Sequence, residues 1–322
     1  MTAARLLPGA ALAAAAALLA WAASAALPAL PLLTAAVLLG IVAGQLPLPQ
    51  RLAPGLALAS RRLMRIGVVL LGLKLSLGDI ARLGAAAIAT TVAITIVTFG
   101  VTLALGRLLK LPGREPLLVA AGFSICGASA IGAMSGAVRA KDTEAATPVA
   151  LVTLCGSLAI FVLPALRGPL GLDAEQFGHW VGAGVHDVGQ VVATASTAGS
   201  AALAIALVVK LTRVLMLAPM VALTAAVERR RAKTSAPRPP LVPLFVAGFL
   251  TAILARTLLP IPEEVLRAAD LAQTALLAMA LFALGTGIRL RRLVTTGWRA
   301  LVVGLASWAV IAVLALIAVR LT

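Results

Sequence analysis

The sequence predicts an all-α polytopic membrane protein of about eleven hydrophobic segments, built on an inverted structural repeat with discontinuous or re-entrant helices. Three observations predict it: an apolar excess that no soluble core could hide, the spacing of the apolar segments, and two motifs that recur at one shared offset. Of the 322 residues 61% are hydrophobic and only 12% charged, and the mean hydropathy is +1.08. A bilayer accommodates such a chain, because its hydrocarbon region is about 30 Å thick and takes about 20 apolar residues per helical span.

The net charge of +16 would point to nucleic acid in a soluble protein. Here Lys and Arg sit mostly in short loops, and Tyr, a common stacking residue, is absent, so nucleic acid is excluded as a partner. The densest basic group, Glu228-Arg-Arg-Arg-Ala-Lys233 with Arg238, lies between two apolar segments, as expected of a cytoplasmic loop. Both cysteines, Cys126 and Cys155, fall inside apolar stretches, and neither a disulfide framework nor a Cys/His metal spacing occurs. No cofactor motif is present.

Taken in order, residues 6–27 are Ala/Leu-rich, follow Arg5 and end in Ala-Ser-Ala-Ala-Leu-Pro, which fits a signal peptide or a first transmembrane helix. The length of the run favours a retained helix. Apolar segments follow near 30–46, 55–77, 84–106, 116–136, 146–166, 176–198, 200–226, 242–259, 268–288 and 298–320, separated by turn-formers such as Leu46-Pro-Leu-Pro49, Pro237-Arg-Pro-Pro240 and Leu259-Pro-Ile-Pro262. No separator is long enough for a soluble domain. The chain is therefore expected to be one transmembrane domain, 1–322. Within it, 1–27 is an extra helix or signal segment, 28–110 a first repeat, 111–226 a central broken-helix region, and 241–322 a second repeat.

The repeat rests on an offset of 213 residues. It places Pro47 and Pro49 on Pro260 and Pro262, and Gly72 of LLGLKL on Gly285 of ALGTGI, with Lys74 and Arg289 just beyond the two glycines. Charge orients the copies. Arg51, Arg61, Arg62 and Arg65 put the Pro47 loop inside, whereas Glu263 and Glu264 put the Pro260 loop outside and Arg289, Arg291, Arg292 and Arg299 return inside. Copies so arranged are inverted, as in many secondary transporters. Segments 116–136 and 176–198 can either cross or turn back as hairpins. Arg139 and Lys141 against Asp173 and Glu175 mildly favour hairpins.

Polar residues inside apolar segments are functional candidates, with mutual pairing as the structural alternative. In Ser124-Ile-Cys-Gly-Ala-Ser129, a break near Gly127 would leave a half-helix presenting free N–H groups to an anion; close packing of small residues explains the same stretch equally well. Lys210 and Arg213, three apart and mid-span, suit an oxyanion. His186, Asp187 and Gln190 border one cavity, with His186 or Asp187 available for proton or ion coupling, or Asp187 neutralising a cation. A His179/His186/Asp187 metal site is a weak alternative to an interfacial role for His179, and no metal is assigned. Lys74, Asp79 and Asp270 are placed near the interface.

GLKLSLGDI at 72–80, SICGASAI at 124–131, GAGVHDVGQVVATAS at 182–196 and KLTRVLMLAP at 210–219 together resemble the YeiH family of bacterial inner-membrane proteins, often labelled sulfate exporters. Gly189 stands where such proteins are expected to carry alanine. The resemblance implies a multi-pass inner-membrane secondary transporter with inverted repeats, like bile-acid and proton antiporter folds. The expected activity is proton-linked export of a small anion, sulfate or a related sulfur oxyanion. The expected binding residues are Ser124, Cys126, Gly127, Ser129, Gln190, Lys210 and Arg213, with coupling at His186 and Asp187. Carriers of this kind can pair as homodimers, and no segment marks an interface.

Three rivals stand beside it: a sodium-coupled symporter of an organic anion, in which Asp187, Gln190 and unwound carbonyls hold Na⁺; an anion channel; and an intramembrane enzyme with Cys126 or a serine as nucleophile and His186 as base. HExxH and GxSxG are absent, so no enzyme is expected, and the absence of GxxxxGK[ST] leaves an ion or substrate gradient as the driving force.

Overall fold

The computed structural model describes residues 3–27, 30–74, 84–232, 244–288 and 297–321. Among these, all regular structure is helical: α1 (Ala3–Ala26), α2 (Leu32–Gly44), α3 (Ala53–Leu58), α4 (Met64–Leu71), α5 (Gly84–Leu108), α6 (Glu115–Ser124), α7 (Ala128–Val138), α8 (Asp142–Arg167), α9 (Ala174–Gly184), α10 (Val188–Ala195), α11 (Ser200–Leu215), α12 (Leu217–Ala232), α13 (Leu244–Leu258), α14 (Glu263–Thr286) and α15 (Trp298–Leu321). Within the described residues, each predicted apolar segment falls on one helix or one consecutive pair. Six stretches, Arg5–Ala26, Gly84–Leu108, Glu144–Arg167, Ser200–Glu228, Glu263–Thr286 and Trp298–Leu321, are long and apolar enough to cross a membrane. Asp79, Lys233, the 237–240 turn, Arg238, Arg289, Arg291 and Arg292 lie outside the described residues.

The chain divides into two compact units, Met1–Arg82 with Leu244–Arg289, and Leu83–Pro243 with Leu290–Thr322. In the first unit α2 and α14 run parallel: Gly40 lies against the Phe282 carbonyl, Gly44 against Thr286, and Gln45 Nε2 donates to the Ile288 carbonyl at 3.0 Å. The stretch from α3 to α4, continuous through a π-helical turn at Ala59–Leu63, runs the other way along α14. Leu56 and Ala59 cluster with Phe282 and Ala283, Gly67 meets Leu277, and Lys74 pairs with Asp270.

These contacts obey the offset of 213. Gly72 packs on Phe249 and Ile253 of α13, while its equivalent, Gly285, packs on Val37 and Ile41 of α2. Each copy's second span therefore seats its glycine on the other copy's first span, and the equivalent second spans run antiparallel. That is an inverted repeat. A Cβ at Gly40 would lie 2.2 Å from the Phe282 oxygen, with backbone as the obstacle. Gly40→Ala is expected to destabilise the protein by about 1–3 kcal/mol, which lowers the midpoint of thermal unfolding in detergent by several degrees; an unchanged midpoint would contradict this close approach.

The second unit is ordered by two parallel pairs. Arg114 N–H donates to Glu144 at 3.0 Å and Gly122 meets Val152, so α6 and α8 start at one face and run together. Lys141 N–H donates to the same Glu144, so α7, which ends just before it, must run back. Likewise Gly178 lies on Ala202 and Gly182 on Ala206, making α9 parallel to α11, so α10 and the short turn Ser196–Ala198 return the chain between them. Both 116–136 and 176–198 are re-entrant hairpins.

The hairpins enter from opposite faces. α8 carries the chain from the Glu144 face across to the base of α9. α11 and α12 carry it back until Glu228 reaches Arg114, at 2.7 and 2.8 Å. A second inverted repeat thus emerges at an offset of 60: α6, α7 and α8 correspond to α9, α10 and α11–α12, with Gly127 equivalent to Asp187. α5 ends at the Arg114 face, where Gly106 meets Pro116, and its equivalent α15 ends at the other, where Arg320 donates to the Leu170 carbonyl.

Candidate functional site

Half-helices of 10 and 11 residues rise about 15 Å, which is half the hydrocarbon thickness, so each hairpin tip lies near mid-membrane. The first tip is made by Gly127, whose φ of 69° and ψ of −134° suit a residue without Cβ. The second is made by Asp187, which sits in extended backbone as the N-cap of α10. Its carboxylate accepts from Gly189 N–H at 2.8 Å, and Gln190 Oε1 accepts from Asp187 N–H at 3.3 Å, a reciprocal capping box.

Breaking two helices in mid-span leaves carbonyls at the ends of α6 and α9 that water cannot reach. Lys210 and Arg213, both fully buried on α11, satisfy them. Lys210 Nζ donates to the Ile125 and Val185 carbonyls, both at 2.9 Å. Arg213 Nε donates to Ser124 O at 3.0 Å, Nη1 to Ala183 O at 2.6 Å and Val185 O at 3.0 Å, and Nη2 to Phe123 O at 3.0 Å and Ser124 O at 2.8 Å. One guanidinium thus closes both tips, a task its rigid fork suits.

His186 donates from Nδ1 to Phe123 O at 3.1 Å, since a carbonyl can only accept, and its ring tilts over the Phe123 ring at 4.5 Å. Nε2 is then a bare acceptor, buried and without a hydrogen-bond partner among the described residues. Gln190 is held from α8: Nε2 donates to Thr153 O at 3.1 Å and to Ser157 Oγ at 3.4 Å. Gly156 makes the space for it.

The structure therefore brings Ser124, Cys126, Gly127, Ser129, His186, Asp187, Gln190, Lys210 and Arg213 to the two tips and the helix crossing them. It gives several of them narrower tasks than their residue types suggest. Asp187 forms no ion pair with Lys210 or Arg213. Ser124 turns its hydroxyl back to Ala120 O at 2.7 Å and offers only its carbonyl. Cys126 is buried and outside any disulfide, and its thiol accepts from Ala130 N–H in the first turn of α7. Ala128 and Ser129, at the start of α7, are partly exposed, and the N-cap Gly127 offers their N–H groups no side chain. His179 lies on α9, and among the described residues no group of three His, Cys, Asp or Glu side chains is placed to hold a metal.

Thr153, Gly156 and Ser157, which fix Gln190, escape sequence reasoning. No residue pattern marks them: the offset of 60, which aligns Thr153 with Arg213, emerges only from the order of the folded helices.

The family model described as conserved hypothetical protein 698 matches residues 5–304. The UPF0324 membrane protein of Corynebacterium glutamicum is 39% identical over 318 residues, covering 98% of this chain and 92% of that one. Those of Bartonella henselae and Agrobacterium fabrum are 34% and 33% identical, covering 90% of this chain and 83% and 84% of theirs. No solved structure matches. This multi-pass membrane protein belongs to the UPF0324 family, which is the YeiH family that its motifs resemble.

Proposed function

We propose that the protein is a secondary active transporter of a small anion, sulfate or a related sulfur oxyanion, exporting it across the bacterial inner membrane with proton linkage. One observation carries the reading. At equivalent positions of the two tips, α10 begins on the carboxylate of Asp187 whereas α7 begins on Gly127 with no anionic group at all. An anion arriving at Ala128 and Ser129 would meet free N–H groups at the positive end of α7, as Asp187 does for α10.

Lys210 and Arg213 favour the same occupant by their charge rather than by direct hydrogen bonds, their donors being engaged by carbonyls. Discontinuous helices meeting near mid-membrane at the interface of inverted repeats are where alternating-access carriers build their substrate and ion sites. His186 Nε2, a buried acceptor without a partner among the described residues, is the proton carrier of this reading. The face bearing Arg107, Lys110, Arg114, Arg139 and Lys141 is cytoplasmic by the positive-inside rule. The outward direction and the sulfur-oxyanion class come from the motif resemblance. The reading is of carriage, not catalysis, and its partners are the anion and the bilayer.

Proteoliposome flux tests it. Saturable movement of radiolabelled sulfate or sulfite that follows an imposed pH gradient is expected. Conduction without saturation would favour a channel, and absence of flux for both anions would remove the substrate class.

A further inference from the structure

The geometry points to Lys210 and Arg213 as tethered counter-ions standing where a co-transported cation would otherwise sit, so that this protein carries its cargo without sodium. The transport half of this inference rests on the carrier reading above; the cation-binding half does not.

Two half-helices that end in mid-span aim the negative ends of their dipoles, and their unpaired carbonyls, at one point. Converging unwound carbonyls of this kind are the oxygen ligands with which carriers hold Na⁺. Here the Ile125 and Val185 oxygens, one from each tip, converge on a single nitrogen, Lys210 Nζ, at 2.9 Å each. The Phe123, Ser124 and Ala183 oxygens converge on Arg213. Gln190, a neutral oxygen ligand at the second tip, accepts from Asp187 N–H and gives its amide to α8. The carbonyl set that would ligate sodium is therefore in use, by charges that cannot leave with the cargo.

Nor do these cations follow from the repeat. On α8 the positions equivalent to Lys210 and Arg213 are Ala150 and Thr153, so α11 by itself supplies the two cations that both tips meet. Both positive groups stand on one of two equivalent helices, beside Asp187, which is 6% exposed. Shortening Lys210 leaves Ile125 O and Val185 O facing each other across the space of one ammonium. A small monovalent cation fits that description; choline does not.

The test is thermal unfolding of the purified full chain in equimolar NaCl, KCl, NH₄Cl and choline chloride. The parent is expected to melt at one temperature in all four. Lys210→Ala is expected to melt lower in choline and to recover about 5 °C, saturably, in sodium or ammonium. A parent midpoint that climbs saturably with sodium would overturn the inference, and so would a Lys210→Ala midpoint blind to the small cations. Should that variant yield no folded protein, parent anion flux with choline replacing sodium on both sides decides the question: unchanged flux supports tethered counter-ions, and lost flux overturns them. A parent with no anion flux in any salt removes the carrier reading instead, and leaves the parent melting comparison to decide the cation site.

Discussion

Arg213→Ala is expected to leave little folded protein. The guanidinium is fully buried and is the hydrogen-bond donor for the Ser124 and Ala183 carbonyls at the two tips. Each buried acceptor left without a donor costs about 1–3 kcal/mol, so these two alone remove roughly 4 kcal/mol. Against a net stability of about 5–15 kcal/mol that is a large share. The Phe123 carbonyl keeps His186 and the Val185 carbonyl keeps Lys210, so they lose less. Arg213→Lys should do little better, because the three donors of one ammonium cannot replace the bonds that the fork spreads over the Phe123, Ser124, Ala183 and Val185 carbonyls. Yield of monodisperse protein and its thermal midpoint in detergent provide the check. A variant that melts like the parent would show that the tips do not depend on this residue.

Gly156→Ala is the second large effect. An added Cβ would fall 1.8 Å from Gln190 Oε1 and 2.5 Å from Cδ, so the amide must leave its seat. Its departure breaks the bonds to Thr153 O, Ser157 Oγ and Asp187 N–H together, and with them the reciprocal cap that starts α10. Loss of a cap plus orphaned buried groups amounts to about 3 kcal/mol. The double variant Gly156→Ala with Gln190→Ala should recover part of that loss, since the clash disappears with the amide. Additive losses in such a cycle would mean that Gly156 and Gln190 do not meet.

Much of this was legible from residue types. Hydropathy marks the helical segments because span length is set by the bilayer, and paired prolines with paired glycines mark the outer repeat because close helix packing demands small residues. The inner repeat was not legible. Gly127 and Asp187, Ala130 and Gln190, Ala150 and Lys210 share geometry but no side-chain chemistry, so no residue pattern betrays them. Re-entry was legible only in part: hydropathy carries no direction, the charges of Arg139, Lys141, Asp173 and Glu175 favour hairpins mildly, and the parallel pairs α6 with α8 and α9 with α11 require the chain to turn back. The polar residues at mid-span were visible as expensive ones. Their tasks were not, because nothing in the local sequence announces that two helix ends will converge on Lys210 and Arg213.

The measurement that tests the central claim most directly is anion uptake by proteoliposomes containing the parent or Ser129→Asp. Ser129 is partly exposed in the first turn of α7, where a carboxylate suits the helix dipole and should leave the thermal midpoint unchanged or slightly raised. The same carboxylate occupies the place proposed for the anion. Saturable sulfate or sulfite flux in the parent, lost in a Ser129→Asp protein of equal stability, is the predicted result. Equal flux in both would contradict an anion site at the start of α7.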